Sequence, residues 1–211
     1  AKETYNKGVS AMENSDIALA IDCFNSALKF DPNMVDAHAN LGICYGMKGN
    51  SQKQIYHLET AVNLKPDNPD IRYNLGLAYY NSGTYLRAIE EFRQTIQLRP
   101  SFLDAHFKLG MSLCNILDFA GAIPEFKKSL EINPNWYEAH VNLGTCYLKT
   151  GNVEGALGQF EDAVRLRPNL AEPHYSLGVT YMRLERFDEA TIALKKALEV
   201  DPDHKLAQAM L

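Results

Sequence analysis

The chain is poor in what membranes, metals and phosphates require. No apolar run approaches the roughly 18 residues that would span a bilayer. Its first segment, AKETYNKGVS, lacks the apolar stretch of a secretory leader. Membrane insertion is therefore not expected. Basic excess is absent: a net charge of -5 offers no positive field to a phosphate backbone, which argues against nucleic acid as a partner. Cys23, Cys44, Cys114 and Cys146 show no C-x-x-C spacing. Cys44 and Cys146 occupy the same apolar slot, two residues after a Leu-Gly pair, as small core residues would. Reduced thiols in a cytoplasmic setting fit that pattern. Nucleophile elbow, P-loop and dinucleotide fingerprint are all missing, and Asp and Glu recur at one interval instead of meeting at one point. We expect neither an enzyme nor a cofactor.

What the chain has is a period. Pro32, Pro66, Pro100, Pro134, Pro168 and Pro202 recur every 34 residues, and Leu-Gly recurs with them at 41-42, 75-76, 109-110, 143-144 and 177-178. In the stretch from Tyr137 to Pro168, the residues Leu143, Gly144, Tyr147, Gly151, Ala156, Phe160 and Pro168 stand at the offsets of a two-helix repeat. This pattern resembles the tetratricopeptide repeat (TPR) family over essentially the whole chain. The resemblance implies an all-α, right-handed TPR superhelix, an α-solenoid of six helix-turn-helix repeats. These are 1–34, 35–68, 69–102, 103–136, 137–170 and 171–204, with 205–211 starting a short capping helix. The unbroken repeat predicts one solenoid over 1–211, without an internal boundary.

Local signals support that reading. Asn33, Asp67, Ser101, Asn135, Asn169 and Asp203 follow the prolines and are expected to cap the next helix A. Asp36, Asp70, Asp104, Glu138 and Glu172, three residues on in most repeats, suit a capping box and the positive end of a helix dipole. Gly49, Gly83 and Gly151 are expected to end helix A in a left-handed conformation, with Asn50, Thr84 and Asn152 capping helix B. The Leu-Gly glycine costs roughly 1 kcal/mol in a helix against alanine, so close packing must offset it. The expected partner is the small residue Ala20, Ala88, Ala122, Ala156 or Ala190. Repeat 2 departs with Gln54 and Leu58, predicting a helix B that stands off or turns its amide outward. Repeat 4 departs with Gly121 and Pro124, predicting a flexure.

His38, His106, His140 and His174 form a ladder that suits hydrogen-bonded packing better than metal binding. Stacked helix axes lie about 8–10 Å apart, too far for equivalent rings to converge on one ion. What remains is a groove, and the TPR resemblance implies which helix A positions face it. They give an apolar and aromatic stripe beside a row of asparagines. Our candidate peptide-binding residues are Asn40, Ile43, Tyr73, Asn74, Leu77, Tyr80, Phe107, Lys108, Met111, Val141, Asn142 and Tyr175. Asparagine offers both donor and acceptor to a peptide backbone. The lysine and asparagine of a carboxylate clamp are absent from their positions, so a C-terminal carboxylate is not the expected ligand.

The asparagine row also looks like that of the arrays attached to protein glycosyltransferases, which leaves a regulatory or substrate-recruiting module of a larger enzyme as the alternative reading. A narrower resemblance is to magnetosome-associated TPR proteins, carried by VDAHANLGICY at 35–45, Leu58-Glu59, KPDN at 65–68 and LGMSL at 109–113. It implies a self-assembling scaffold, peripheral on an intracellular (magnetosome) membrane, that recruits other proteins. Self-association is also expected from apolar ends: Tyr5, Val9 and Met12 against nothing on one side, and Leu206, Met210 and Leu211 on the other.

Overall fold

The computed structural model describes all 211 residues and places them in thirteen helices joined by short turns. By its contacts the chain divides into two compact units, Ala1–Lys108 and Leu109–Leu211. The first holds α1 (Lys2–Glu13), α2 (Ile17–Phe30), α3 (Val35–Met47), α4 (Ser51–Leu64), α5 (Pro69–Asn81) and α6 (Tyr85–Leu98). Helix α7 (Leu103–Asn115) begins in that unit and ends in the second. The second continues with α8 (Phe119–Ile132), α9 (Tyr137–Lys149), α10 (Val153–Leu166), α11 (Ala171–Arg183), α12 (Phe187–Val200) and α13 (Lys205–Ala209). Within the first unit each helix from α1 to α6 packs on the next; within the second the same holds from α8 to α13. Twelve repeat helices and a short terminal one are the expected set. Each is too short to be stable alone, so packing of its apolar stripe on two neighbours supplies the stability.

The core of each hairpin is a glycine on helix A facing a large apolar side chain on helix B. A Cβ added at Gly8 or Gly76 would lie 2.6 Å from the ring of Phe24 or Phe92. At Gly110 and Gly144 it would meet Phe126 and Phe160 at 2.8 and 2.9 Å, and at Gly42 and Gly178 it would meet Leu58 and Leu194 at 2.5 and 2.8 Å. The expected partner is corrected: Ala20, Ala88, Ala122, Ala156 and Ala190 are buried, but the ring or isobutyl group four residues later fills the space over the glycine. A methyl group is too short to span the gap between helices. Burying each phenylalanine contributes about 2–3 kcal/mol, more than the helix propensity lost at its glycine.

The helix A to helix B turn is encoded as expected at Gly49, Gly83 and Gly151, with φ of 72°, 76° and 84°. Sequence reasoning missed that Ser15, Leu117 and Glu185 adopt the same left-handed conformation in the other three repeats. Asn50 and Asn152 cap helix B by accepting from the N–H of Lys53 and Gly155, and Asp16 and Asp118 do the same for α2 and α8. Thr84 does not: it makes no cap bond, and its hydroxyl is instead 3.0 Å from that of Ser82.

The turn between repeats also differs from expectation. The N-cap lies one residue later, at Met34, Asn68, Trp136, Leu170 and His204, and of these only Asn68 and His204 cap through their side chains. Asn33, Asn135 and Asp203 are not caps. Their N–H groups donate to the carboxylate or amide oxygens of Asp31, Asn133 and Asp201 across the proline. The side chain before the proline thus closes the turn as an Asx-turn.

The histidine ladder is hydrogen-bonded packing. Nε2 of His38, His106, His140 and His174 lies 2.8–3.0 Å from the carbonyl oxygen of Pro32, Pro100, Pro134 and Pro168. The same position holds Arg72 and Gln208, which donate to the carbonyls of Pro66 and Pro202 at 2.6 Å. All six proline turns therefore receive a side-chain N–H from six residues downstream. With Nε2–H engaged, Nδ1 of neutral His38 is an acceptor, so His57 donates to it at 3.0 Å.

Burial chiefly, with His38 and Lys53 adding to it, holds His57 down at about 4. Unfolded His57 titrates near 6.5, so the unfolded chain takes up its proton first and stability falls as pH drops from about 6.5 to 4. After discounting for partial exposure, we expect a loss of about 1–2 kcal/mol over that window. Urea midpoints of wild type and His57→Gln at pH 7 and pH 4.5 check this: the variant should lose less on acidification, and equal losses would exclude it.

Three further expectations change. Helix α8 runs without interruption through Pro124, which sits five residues after its start, so the proline costs one hydrogen bond without ending the helix. Gln54 is accommodated because the facing residue is Gly46, whose missing Cβ would lie 2.6 Å from the Gln54 amide nitrogen. Tyr5, Val9 and Met12 pack against a cluster of Ala11, Ala20, Phe24, Leu41 and Cys44, and Met210 packs on Leu194, Ala197 and Ala207. Leu206 and Leu211 are exposed as expected.

Candidate peptide-binding groove

All twelve candidate residues are half-buried. In the first unit, Ile43 of α3 and Asn74 and Leu77 of α5 line one cavity of about 300 Å³. Gly46, Met47, Ser51, Gln54, Leu58 and Asn81 complete it. None of those six was among the candidate site residues, although Gln54 and Leu58 marked repeat 2 as a departure. Gly46 leaves room over which Gln54 folds its amide, giving the cavity a polar wall beside the aliphatic one.

The asparagine row is not uniform. Asn40 donates to the Tyr5 hydroxyl at 3.1 Å, and in the second unit Asn142 donates to the Glu138 carbonyl at 2.7 Å. Asn74 makes no side-chain hydrogen bond. A half-buried amide on a cavity wall with donor and acceptor unspent is the group that a peptide backbone would satisfy.

The aromatic stripe divides as well. Tyr80 meets Tyr85 edge-on at 5.6 Å, and the Lys108 ammonium lies 5.2 Å from the Tyr80 ring centre. Tyr73 instead rests on Phe102 and on fully buried Phe92, at 4.8 and 5.7 Å between ring centres. Burial, with Asp104 adding to it, pushes its hydroxyl up to about 12. In the second unit Val141 packs on a cluster with Phe160, and Tyr175 packs against His204 and the cluster around Leu194. Phe107, Lys108 and Met111 are carried by α7. Ile43, Asn74 and Leu77 are thus brought together, whereas Tyr73, Val141 and Tyr175 chiefly hold neighbouring helices.

A second cavity, of about 460 Å³, lies in the second unit and was not anticipated. Its walls include Leu130, Leu143, Tyr147, Gln159 and Asp162, with His140 bonded through Nδ1 to the Gln159 amide oxygen at 2.9 Å.

Helix hairpins of fixed length, each closed by a glycine on helix A against a ring or isobutyl group on helix B, define an α-solenoid repeat protein. Family models for tetratricopeptide repeats match residues 55–83 and 146–185, 73–135, 118–159 and 171–204. The chain belongs to the tetratricopeptide repeat family. No curated protein matches it. Among solved structures it is similar to YrrB, described as a TPR protein with an unusual peptide-binding site, at 24% identity and TM-score 0.82, covering 89% of this chain and 96% of that one. A MamA structure matches at 24% identity and TM-score 0.77, covering 84% and 96%. PilF of Pseudomonas aeruginosa matches at 18% and 0.77, covering 99% and 95%. At these identities the likeness establishes the fold.

Proposed function

We propose that this chain is a non-enzymatic protein-protein interaction scaffold that holds a peptide or helical segment of a partner against α3 and α5 of its first unit. The observation that carries this is the unspent Asn74 amide beside Ile43 and Leu77 on one cavity wall. Asn74 orients a backbone amide of the guest, Leu77 and Ile43 cover an apolar side chain, and Tyr80 with Lys108 borders them. Membership of a peptide-binding repeat family and the fold likeness to YrrB support the reading. The narrower reading, a self-assembling scaffold peripheral to a magnetosome membrane, rests on the segments 35–45 and 109–113 and on the fold likeness to MamA.

Titration against an arrayed peptide set tests the placement. For the peptides bound, Asn74→Ala and Leu77→Asp should each weaken affinity about tenfold, with circular dichroism unchanged. Tyr73→Ala is unsuitable because it also strips the core. Equal affinity in both folded variants would remove the site. If the guest is a second copy of this chain, light scattering will give multiples of 23.7 kDa that Leu77→Asp reduces.

A further inference from the structure

Four free cysteines are present, and two of them, from successive A helices of the second unit, lie sulfur to sulfur. Sγ of Cys114 on α7 is 3.3 Å from Sγ of Cys146 on α9. Cys23 and Cys44 are buried and make no thiol contact. Sequence spacing could not show the pair, because Cys114 stands two residues further along its repeat than the slot shared by Cys44 and Cys146.

We propose that Cys114 and Cys146 form a thiol-modification site that small-molecule disulfides of the glutathione class convert to an intramolecular disulfide. The two sulfurs must close from 3.3 Å to the roughly 2.05 Å of a bond, a movement side-chain rotation can supply. Access is unequal: Cys114 is half-buried and Cys146 fully buried, so the reagent meets Cys114 first. Their chemistry is ordered the same way. The Cys146 S–H donates to the Cys114 sulfur and lowers its pKa against the opposing effects of burial and Asp118, while that bond and burial raise Cys146. Cys114 is thus the attacking thiolate and Cys146 the resolving thiol.

Two exchanges complete the step. The Cys114 thiolate attacks one sulfur of glutathione disulfide, forming a mixed disulfide and releasing one glutathione thiolate. Cys146 then loses its proton and attacks the Cys114 sulfur, releasing the second. Two protein thiols are oxidised to one disulfide, one glutathione disulfide is reduced to two thiols, and the two protons end on glutathione. The new bond ties α7 to α9, the helices that carry Met111, Val141 and Asn142.

Each cysteine lies in its own tryptic peptide, Cys114 in 109–127 and Cys146 in 129–149, so peptide mapping reads the result directly. Equilibrating the full native chain in glutathione buffers of stepped redox ratio should lower the free thiols from four to two. It should also join 109–127 to 129–149 and raise Tm by about 5 °C. Cys146→Ser should stop at a glutathione adduct on Cys114, and Cys114→Ser should keep its remaining thiols free. The wild-type map needs no variant to fold. Four free thiols at the most oxidising ratio, a stable glutathione adduct in wild type, or a crosslink through Cys23 or Cys44 would each overturn the proposal.

Discussion

Gly76→Val should destabilise the first unit by about 3 kcal/mol, although valine is the better helix former. Its Cβ would sit 2.6 Å from the ring of Phe92, a side chain with no exposed surface and no empty neighbour to enter. The ring cannot rotate away without displacing Tyr73, which rests on it. Propensity and packing therefore act in opposite directions, and packing wins by magnitude. Gly158 in α10 supplies the control: a Cβ there meets nothing within 4 Å, so Gly158→Ala should stabilise by about 1 kcal/mol. Urea denaturation of both variants decides the matter. A Gly76→Val chain as stable as wild type would show that the glycine row is not a packing requirement.

Arg72→Leu should cost about 2–3 kcal/mol at neutral pH. Arg72 donates through Nε to the Pro66 carbonyl and through Nη1 to Glu91 at 2.8 Å, with both side chains only 16% exposed. Leucine leaves a carboxylate in a poorly solvated place with no partner. Burial already pushes Glu91 up against the pull of Arg72, and loss of the guanidinium removes that pull. A raised folded pKa means that the contribution holds at low pH and fades as pH rises through it. The variant should therefore lose less stability at pH 5 than at pH 8, and a deficit independent of pH would contradict this account. Arg72→His, the choice made at four equivalent positions, should recover part of the loss by restoring the bond to Pro66.

The repeat was legible in the chain because its marks are backbone requirements: a proline every 34 residues and a glycine wherever two helices close on each other. What the glycine closes on was not legible. Alanine and phenylalanine both sit on the inner face of helix B, and only side-chain reach decides which covers Gly76. The caps shifted by one residue for a comparable reason. An Asx-turn from Asp31 to Asn33 and a cap from Asn33 to the next helix use the same residue types, and the proline between them favours the first. Ser15, Leu117 and Glu185 gave no local sign of a left-handed backbone, since packing of the hairpin imposes that conformation.

The candidate site was legible as positions and less so as roles. Asn40, Asn74 and Asn142 hold the same position in their repeats, but whether an amide is spent depends on what lies within hydrogen-bonding reach. Tyr5 lies beside the first, a main-chain carbonyl beside the third, and neither kind of partner beside Asn74. The Gln54 departure was visible in the sequence. Its pairing with Gly46, one residue shrinking as the other grows, needed the fold.

The side-chain bond to each proline carbonyl spans six residues and closes entirely within the joint between one hairpin and the next. Such a joint carries its own instructions. A genetic duplication or deletion of one 34-residue unit would bring the donor and the acceptor with it, so the array can change length while every surviving joint keeps its bond. Length then becomes a variable that selection can adjust in whole steps, separately from the residues that line the cavity on α3 and α5.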